Sequence, residues 1–290
     1  MKTKLFGLFF LFLASGTILL TCAQTEKKDA DIKLIIRGDD IGSFHAANLA
    51  CLKSYTDGIM RSVEVMVPCP WYPEAVEMLN ENPGLDVGIH LVMTSEWKNM
   101  KWRPLTGISS ITDARGYFFP MVWPNENFGP EQAFRNSEWT LKDVEKELRA
   151  QIECALKDIR GISHLSSHMG FGSADPSIDS LIAALAAEYR LNFELSGADV
   201  QWFSFDRSKE ASLDANIDSF KAALRALQPG KYFFIEHPGL DTPELESVGH
   251  VGYTNVGADR QMVTDLFTSK EIMKEINRLG IKLVSYADVK

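Results

Sequence analysis

The sequence predicts a mainly parallel α/β protein in one domain, a barrel or a doubly wound sheet. Two observations predict it. Seven short apolar runs alternate with stretches of helical period, the rhythm of repeated strand–helix–strand units. Four of those runs lead directly into aspartate or histidine, and in a parallel sheet all strand C-termini open on one face. The chain has 290 residues, 45% hydrophobic and 24% charged, enough to bury one large core.

The first 23 residues stand apart from that domain. Lys2 and Lys4 open the chain, residues 5–20 are almost unbroken apolar chain, and Thr21-Cys22-Ala23-Gln24 leads into a polar run. A basic start, an apolar stretch short of the roughly 20 residues a spanning helix needs, and small residues after it describe a secretory signal. Leu19-Leu20-Thr21-Cys22 also resembles a bacterial lipobox, with Thr where Gly, Ala or Ser is usual. The expectation is export, either as a periplasmic protein cleaved near Ala23 or as an outer-membrane lipoprotein anchored by a lipid at Cys22. The mature domain is then 24–290.

Residues 33–37 (KLIIR) read as a buried strand; Asp39 and Asp40 follow it, and a helix starts near His45. Strands follow at 62–67 and 85–89, the latter running into His90. From 92 to 140 there is no long periodic element, only prolines, glycines and many aromatics; so long an irregular stretch marks a functional insertion. Residues 141–159 place Leu141, Val144, Leu148, Ile152, Ala155 and Ile159 three or four apart, an amphipathic helix. Then come a strand at 162–167 ending before His168, a helix at 178–189, a strand at 190–195 and a helix at 217–227. A strand at 232–236 ends before His237, and a helix at 261–279 and a strand at 281–285 complete the chain.

Thirty basic against thirty-nine acidic residues give a net charge of −9, without the basic excess that neutralises phosphates, so no nucleic-acid partner is expected. Cys22, Cys51, Cys69 and Cys154 follow no CxxC spacing and define neither a metal site nor a disulfide framework.

Each residue at a strand end has a bland reading. An Asp pair can cap the next helix, and a lone His there is commonly a hydrogen-bonded core residue. Yet one cap needs one carboxylate, and two adjacent carboxylates repel unless a cation lies beside them. One Asp with two His is a donor set for Zn²⁺ or another first-row divalent ion, with positions left for water and substrate. His164 and His168, four apart on an extended strand, lie roughly 13 Å apart and cannot share an ion; His168, nearer the strand end, is the better ligand. Successive strand side chains alternate, so Asp39 and Asp40 are expected to point apart and do different jobs.

The segment RGDDIG at 37–42 resembles the ADDFG motif of the YdjC/ChbG-type carbohydrate deacetylases. Asp86-Val87-Gly88-Ile89-His90-Leu91 looks like their GxHL motif, Ser163-His164-Leu165-Ser166-Ser167-His168 like their THxDSHxH motif, and Glu236-His237-Pro238-Gly239 like their HPG motif. The order is the family's, and the resemblance spans essentially the whole mature chain. It implies a distorted TIM-like β/α barrel of about seven mainly parallel strands. It also implies one divalent metal ion, Zn²⁺ or Mg²⁺, and removal of N-acetyl groups from amino sugars or chito-oligosaccharides with release of acetate. By this resemblance Asp40, His90 and His168 are the ligands, Asp39 the base and His237 the acid. Two positions depart: the family's Asp in THxDSHxH is Ser166, and the second His of its HxH pair is Gly170. If the lost carboxylate oriented His168, metal binding is expected to fall roughly 10–100-fold.

Trp97, Trp102 and Trp123 are candidates to floor a glycan cleft, against the alternative that they pack the insertion's own core. Arg260 is a candidate to orient a substrate oxygen, against a surface salt bridge. Two other functions fit parts of the pattern. A catalytically weakened glycan-binding lipoprotein would account for Ser166 and Gly170. A non-haem iron oxygenase shares the two-His-one-carboxylate set but leaves Asp39 and His237 unused.

Overall fold

The computed structural model describes residues 31–193, 195, 198–208 and 211–289; the segment expected to direct export, with Cys22, lies outside them. Eight strands form one sheet: β1 (Ile32–Ile41), β2 (Ser62–Val65), β3 (Asp86–Leu91), β4 (Ile162–Ser167), β5 (Asn192–Phe193), β6 (Gln201–Trp202), β7 (Gly230–Glu236) and β8 (Lys282–Val284). Every pairing is parallel, in the order β5-β4-β3-β2-β1-β7-β6. β1 takes β7 along Ile32–Gly38; β8 pairs with its start at Lys33–Ile35 and β2 with its end at Arg37–Ile41. The sheet curls into a half-barrel. Among the described residues no pairing joins β5 to β6, so the curl stays open there.

All seven predicted runs form strands, with shifted bounds in all but β4, and two of the shifts have local reasons. The run at 190–195 starts its strand only at Asn192, because Arg190 adopts a left-handed conformation that ends the preceding helix. β1 extends past Arg37 to include both aspartates. β6 was not predicted; two residues carry no periodicity. The helices are α1 (His45–Thr56), α2 (Tyr72–Glu81), α3 (Leu141–Asp158), α4 (Pro176–Tyr189), α5 (Leu213–Ala226), α6 (Pro243–Glu246), α7 (Val256–Phe267) and α8 (Lys270–Leu279). α2 was missed, although Tyr72, Ala75 and Leu79 make its buried face and Pro73 opens its first turn. The single helix predicted at 261–279 is two, since the Ser269 hydroxyl accepts the Ile272 N–H and starts α8 afresh.

Strand parity sorts the core. On β1, Leu34 and Ile36 join the large apolar cluster, while Ile35 packs inside the curl with Tyr286 and Val289. Arg37 shares that inner face and donates to the Tyr286 hydroxyl. The register sets Glu64 beside Gly88 and Gly88 beside His164, then His90 beside Ser166. The interior of the curl is thus a polar stack. It is walled on the other side by Val63, Val65, Val87, Ile89 and Leu165, all buried.

The insertion at 92–140 packs around buried Trp102, Phe118 and Phe134. α3 pins it. Glu147 accepts the N–H groups of Leu105 and Thr106, and the Gln151 amide exchanges two hydrogen bonds with the backbone of Val92.

Candidate metal centre

The C-terminal ends of β1, β3 and β4 bring Asp40, His90 and His168 together. One donor atom from each lies within 4.8 Å of the others, and all three residues are buried. Asp40 Oδ1 is 3.7 Å from His90 Nε2 and 3.5 Å from His168 Nδ1, too far for hydrogen bonds. Asp40 Oδ1 and His168 Nδ1 have no hydrogen-bond partner among the described residues. A buried polar atom left unpaired costs about 1–3 kcal/mol, and here two of them face one point together with a third donor. Two imidazole nitrogens and one carboxylate oxygen around a common position fit a divalent ion. His164 is elsewhere, against Glu64 and stacked on Tyr286 at 4.2 Å, as its place on the strand predicts.

The backbone after β1 explains how two neighbouring aspartates reach one site. Asp40 has φ 74° and Gly42 φ 97°, left-handed conformations that Asp tolerates and Gly adopts freely. The expected alternation is therefore broken. Asp39 Oδ2 lies 3.6 Å from His90 Nε2, on the same side as Asp40. Their surroundings still differ. Asp39 is gripped at both oxygens by Arg37, at 2.7 and 2.9 Å, while Asp40 gives only Oδ2 to Arg260, at 2.8 Å. The cations that relieve the acidic pair are thus two arginines. Neither aspartate caps α1; Glu244 accepts its His45 and Ala46 N–H groups instead.

Electrostatics favour a charged carboxylate and a displaceable proton. Burial works against ionising Asp40, but Arg260, His237 and His168 hold its carboxyl well below the usual range. Burial, helped by the neighbouring His168, pushes His90 down to about 3, so this ring is neutral. His168 goes the other way: despite burial, Glu96 and Asp40 push it up to about 10. An ion bound there must displace the His168 proton, so its affinity rises with pH. Cys51 and Cys69, buried close by, have thiols pushed up by burial and by Asp40, which makes them poor ligands and nucleophiles.

A cavity of about 210 Å³ opens over the centre, lined by Asp40, Trp97, His168, His237, Tyr253 and Arg260 among others. His237, half-exposed at the end of β7, stands 4.0 Å from Glu236. Arg207 holds Glu236 at 2.7 Å and Asp259 at 2.6 Å. Burial opposes a charge on His237, but Asp40 and Glu236 raise its pKa. Trp97 forms a wall, stacked on His250 at 5.6 Å, with the Arg260 guanidinium 5.5 Å from its ring. Two more cavities, of about 290 and 320 Å³, adjoin at His250.

Several expectations need correction. Trp102 is buried in the insertion, its indole N–H donated to the Thr94 carbonyl, and it does not line the cavity. Trp123 is exposed, with its ring edge 4.0 Å from where a side chain at Gly170 would begin. Arg260 forms no surface salt bridge; it is buried against Asp40. Ser166 does not touch His168. It accompanies His90, and the carboxylate facing His168 Nε2, at 3.3 Å, is Glu96. Arg37, Glu64, Glu96, Arg207 and His250 were not foreseen. For Glu64 a signal existed, a single charge inside the apolar run at 62–67.

The family model described as YdjC-like protein matches residues 33–278. Carbohydrate deacetylase 1 of Listeria innocua is 27% identical over 270 residues, 89% of this chain and 100% of the relative. The carbohydrate deacetylase of Thermus thermophilus is 30% identical over 236 residues, 73% of this chain and 79% of the relative. A crystal structure from Enterococcus faecalis, provisionally named a cellobiose-phosphate cleavage protein, superposes with a TM-score of 0.69 at 22% identity. It covers 89% of this chain and 98% of its own, and shows the same fold.

Proposed function

We propose a function from the premise that this chain belongs to the YdjC-like protein family. It is a carbohydrate deacetylase, a hydrolase of the amide bond between a sugar and its acetyl group. Our own reading adds the substrate class, an N-acetylated amino sugar or chito-oligosaccharide, and dependence on one divalent ion, Zn²⁺ or Mg²⁺. The observation that carries it is the pair of unpaired buried atoms, Asp40 Oδ1 and His168 Nδ1, converging with His90 Nε2 beneath the cavity.

An ion held by these three residues would supply Lewis acidity, polarising the acetamide carbonyl and making water a nucleophile at neutral pH. The chain does the rest. Asp39, fixed by Arg37 beside the ligand set, accepts the proton of the attacking water. His237, at the end of another strand, with its pKa raised by Asp40 and Glu236, gives its proton to the departing amine, so the products are acetate and a free amino sugar. Trp97 offers an aromatic wall to a sugar ring, and Arg260 lines the same cavity. A cavity this size suits one ring, and the two adjoining ones give further sugars somewhere to lie.

Acetate release from N-acetylated chito-oligosaccharides by the purified mature protein tests this. Release that chelation abolishes and a divalent ion restores is the expected result. Binding without release under both conditions would instead mark a glycan-binding protein.

Export is part of the same proposal, supported by the basic, apolar and small-residue order of the first 24 residues. Mass spectrometry of the native N-terminus should find it at Gln24 or at a lipid-modified Cys22. An intact Met1 on cytosolic protein would refute export.

A further inference from the structure

We propose that Glu64, acting through the Ser166 hydroxyl, is the positioning residue that keeps the proton of His90 on Nδ1 and so turns its Nε2 lone pair to the metal position. The inference rests on the metal-centre reading and goes beyond it, because Glu64 touches no ligand.

The protons available between Glu64 and His90 fix the tautomer. The Ser166 hydroxyl has one, and it is donated to Glu64 Oε2. Ser166 Oγ also lies 2.7 Å from His90 Nδ1. With its only proton spent on a carboxylate, the hydroxyl can only accept there, so Nδ1 carries the hydrogen and Nε2 the lone pair. Nε2 is the atom that faces Asp40 Oδ1. The opposite tautomer would turn the hydroxyl to the ring and strip Oε2 of its donor in an interior where Glu64, His164 and Ser166 have no exposure.

Glu64 is itself held. His164 Nε2 meets its Oε1, and Arg37 Nη1 lies 3.6 Å from the same oxygen. Its reach depends on a glycine. β2 and β4 are separated by β3, and Glu64 and His164 meet over Gly88, which the register places between them. A Cβ at position 88 would come within 2.5 and 2.7 Å of the two Glu64 oxygens. Ser166 stands where the family motif has Asp, so the carboxylate missing from β4 is supplied from β2, one hydroxyl further from the ring.

Ser166→Ala removes the link and leaves the Glu64–His164 pair intact. Its affinity for Zn²⁺, read by competition with a chromophoric chelator, should fall roughly 10–100-fold. In the metal-free protein, ¹⁵N NMR of the histidine rings should show His90 as the Nδ1–H tautomer in the wild type and lose that preference in the variant. Glu64→Gln, which keeps the shape, gives the second reading if Ser166→Ala does not fold. The double variant Glu64→Gln/Ser166→Asp places a carboxylate directly on Nδ1 and should recover most of the lost affinity. Wild-type affinity and an unchanged tautomer in Ser166→Ala would overturn the proposal, and so would a double variant no better than Glu64→Gln. If His90→Ala loses the metal while Ser166→Ala keeps it, only this inference fails. A wild-type protein that binds no divalent ion removes the metal centre itself, and this proposal with it.

Discussion

Asp39 and Asp40 are adjacent in sequence and differ in what is already attached to them. Arg37 occupies both oxygens of Asp39, whereas Asp40 keeps Oδ1 unpaired towards the two histidines. Asp40→Asn is therefore expected to lose both metal and activity. Asparagine also tolerates the left-handed backbone at this position, so the loss reports charge and not strain. Asp39→Asn should keep its metal and lose at least roughly two orders of magnitude in turnover, the usual scale of general base catalysis. Equal metal loss in both would assign them a shared role. The acid side is tested by pH. His237 must be protonated to donate, and its raised pKa keeps it so above the ordinary histidine range, with activity falling as pH rises through that value. Glu236→Gln removes one of the groups that raise it, so the alkaline limb of kcat should move to lower pH; a limb that stays in place would exclude Glu236 from that role. At this scale the sequence showed the residues at strand ends and hid those inside strands. Arg37 and Glu64 lie within β1 and β2, and only the curl of the sheet reveals that their face is a polar interior.

Strands and helices were legible where an apolar run or a 3.6 period ran long enough, as in β1 and α3, and illegible where a single residue decided the geometry. Ser269 divides one periodic stretch into α7 and α8, and Arg190 delays the start of β5. The start of α1 belongs to the same class. Its N-cap, Phe44, offers no side-chain acceptor, and the carboxylate that serves its first turn comes from Glu244, some 200 residues away. Glu244→Ala should cost about 0.5–2 kcal/mol, the range for losing a helix cap, and lower Tm accordingly by a few degrees. Thermal unfolding measures it. An unchanged Tm would show that water serves α1 as well as Glu244 does. Because α1 follows the turn that carries Asp40, the same variant should also weaken metal binding if that turn loosens.

For the whole molecule, the alternation of strands and helices left a barrel and a doubly wound sheet equally open. What separates them is the end of the chain: β8 lies on β1, and the sheet curls around Tyr286, which packs on Ile35, receives a hydrogen bond from Arg37 and stacks on His164. That closure has a consequence in time. The acidic pair leaves the ribosome, or an export channel, with only Arg37 for company. Arg260 arrives 220 positions later, and Tyr286 almost at the end. Contacts so distant along the chain are slow to form, because a long loop must close before they return anything. The early segments therefore wait as an incomplete site until Arg260 and Tyr286 are in place. A chain interrupted before Tyr286 lacks the floor under Arg37 and His164 and is an unfinished protein, not a slightly shorter enzyme.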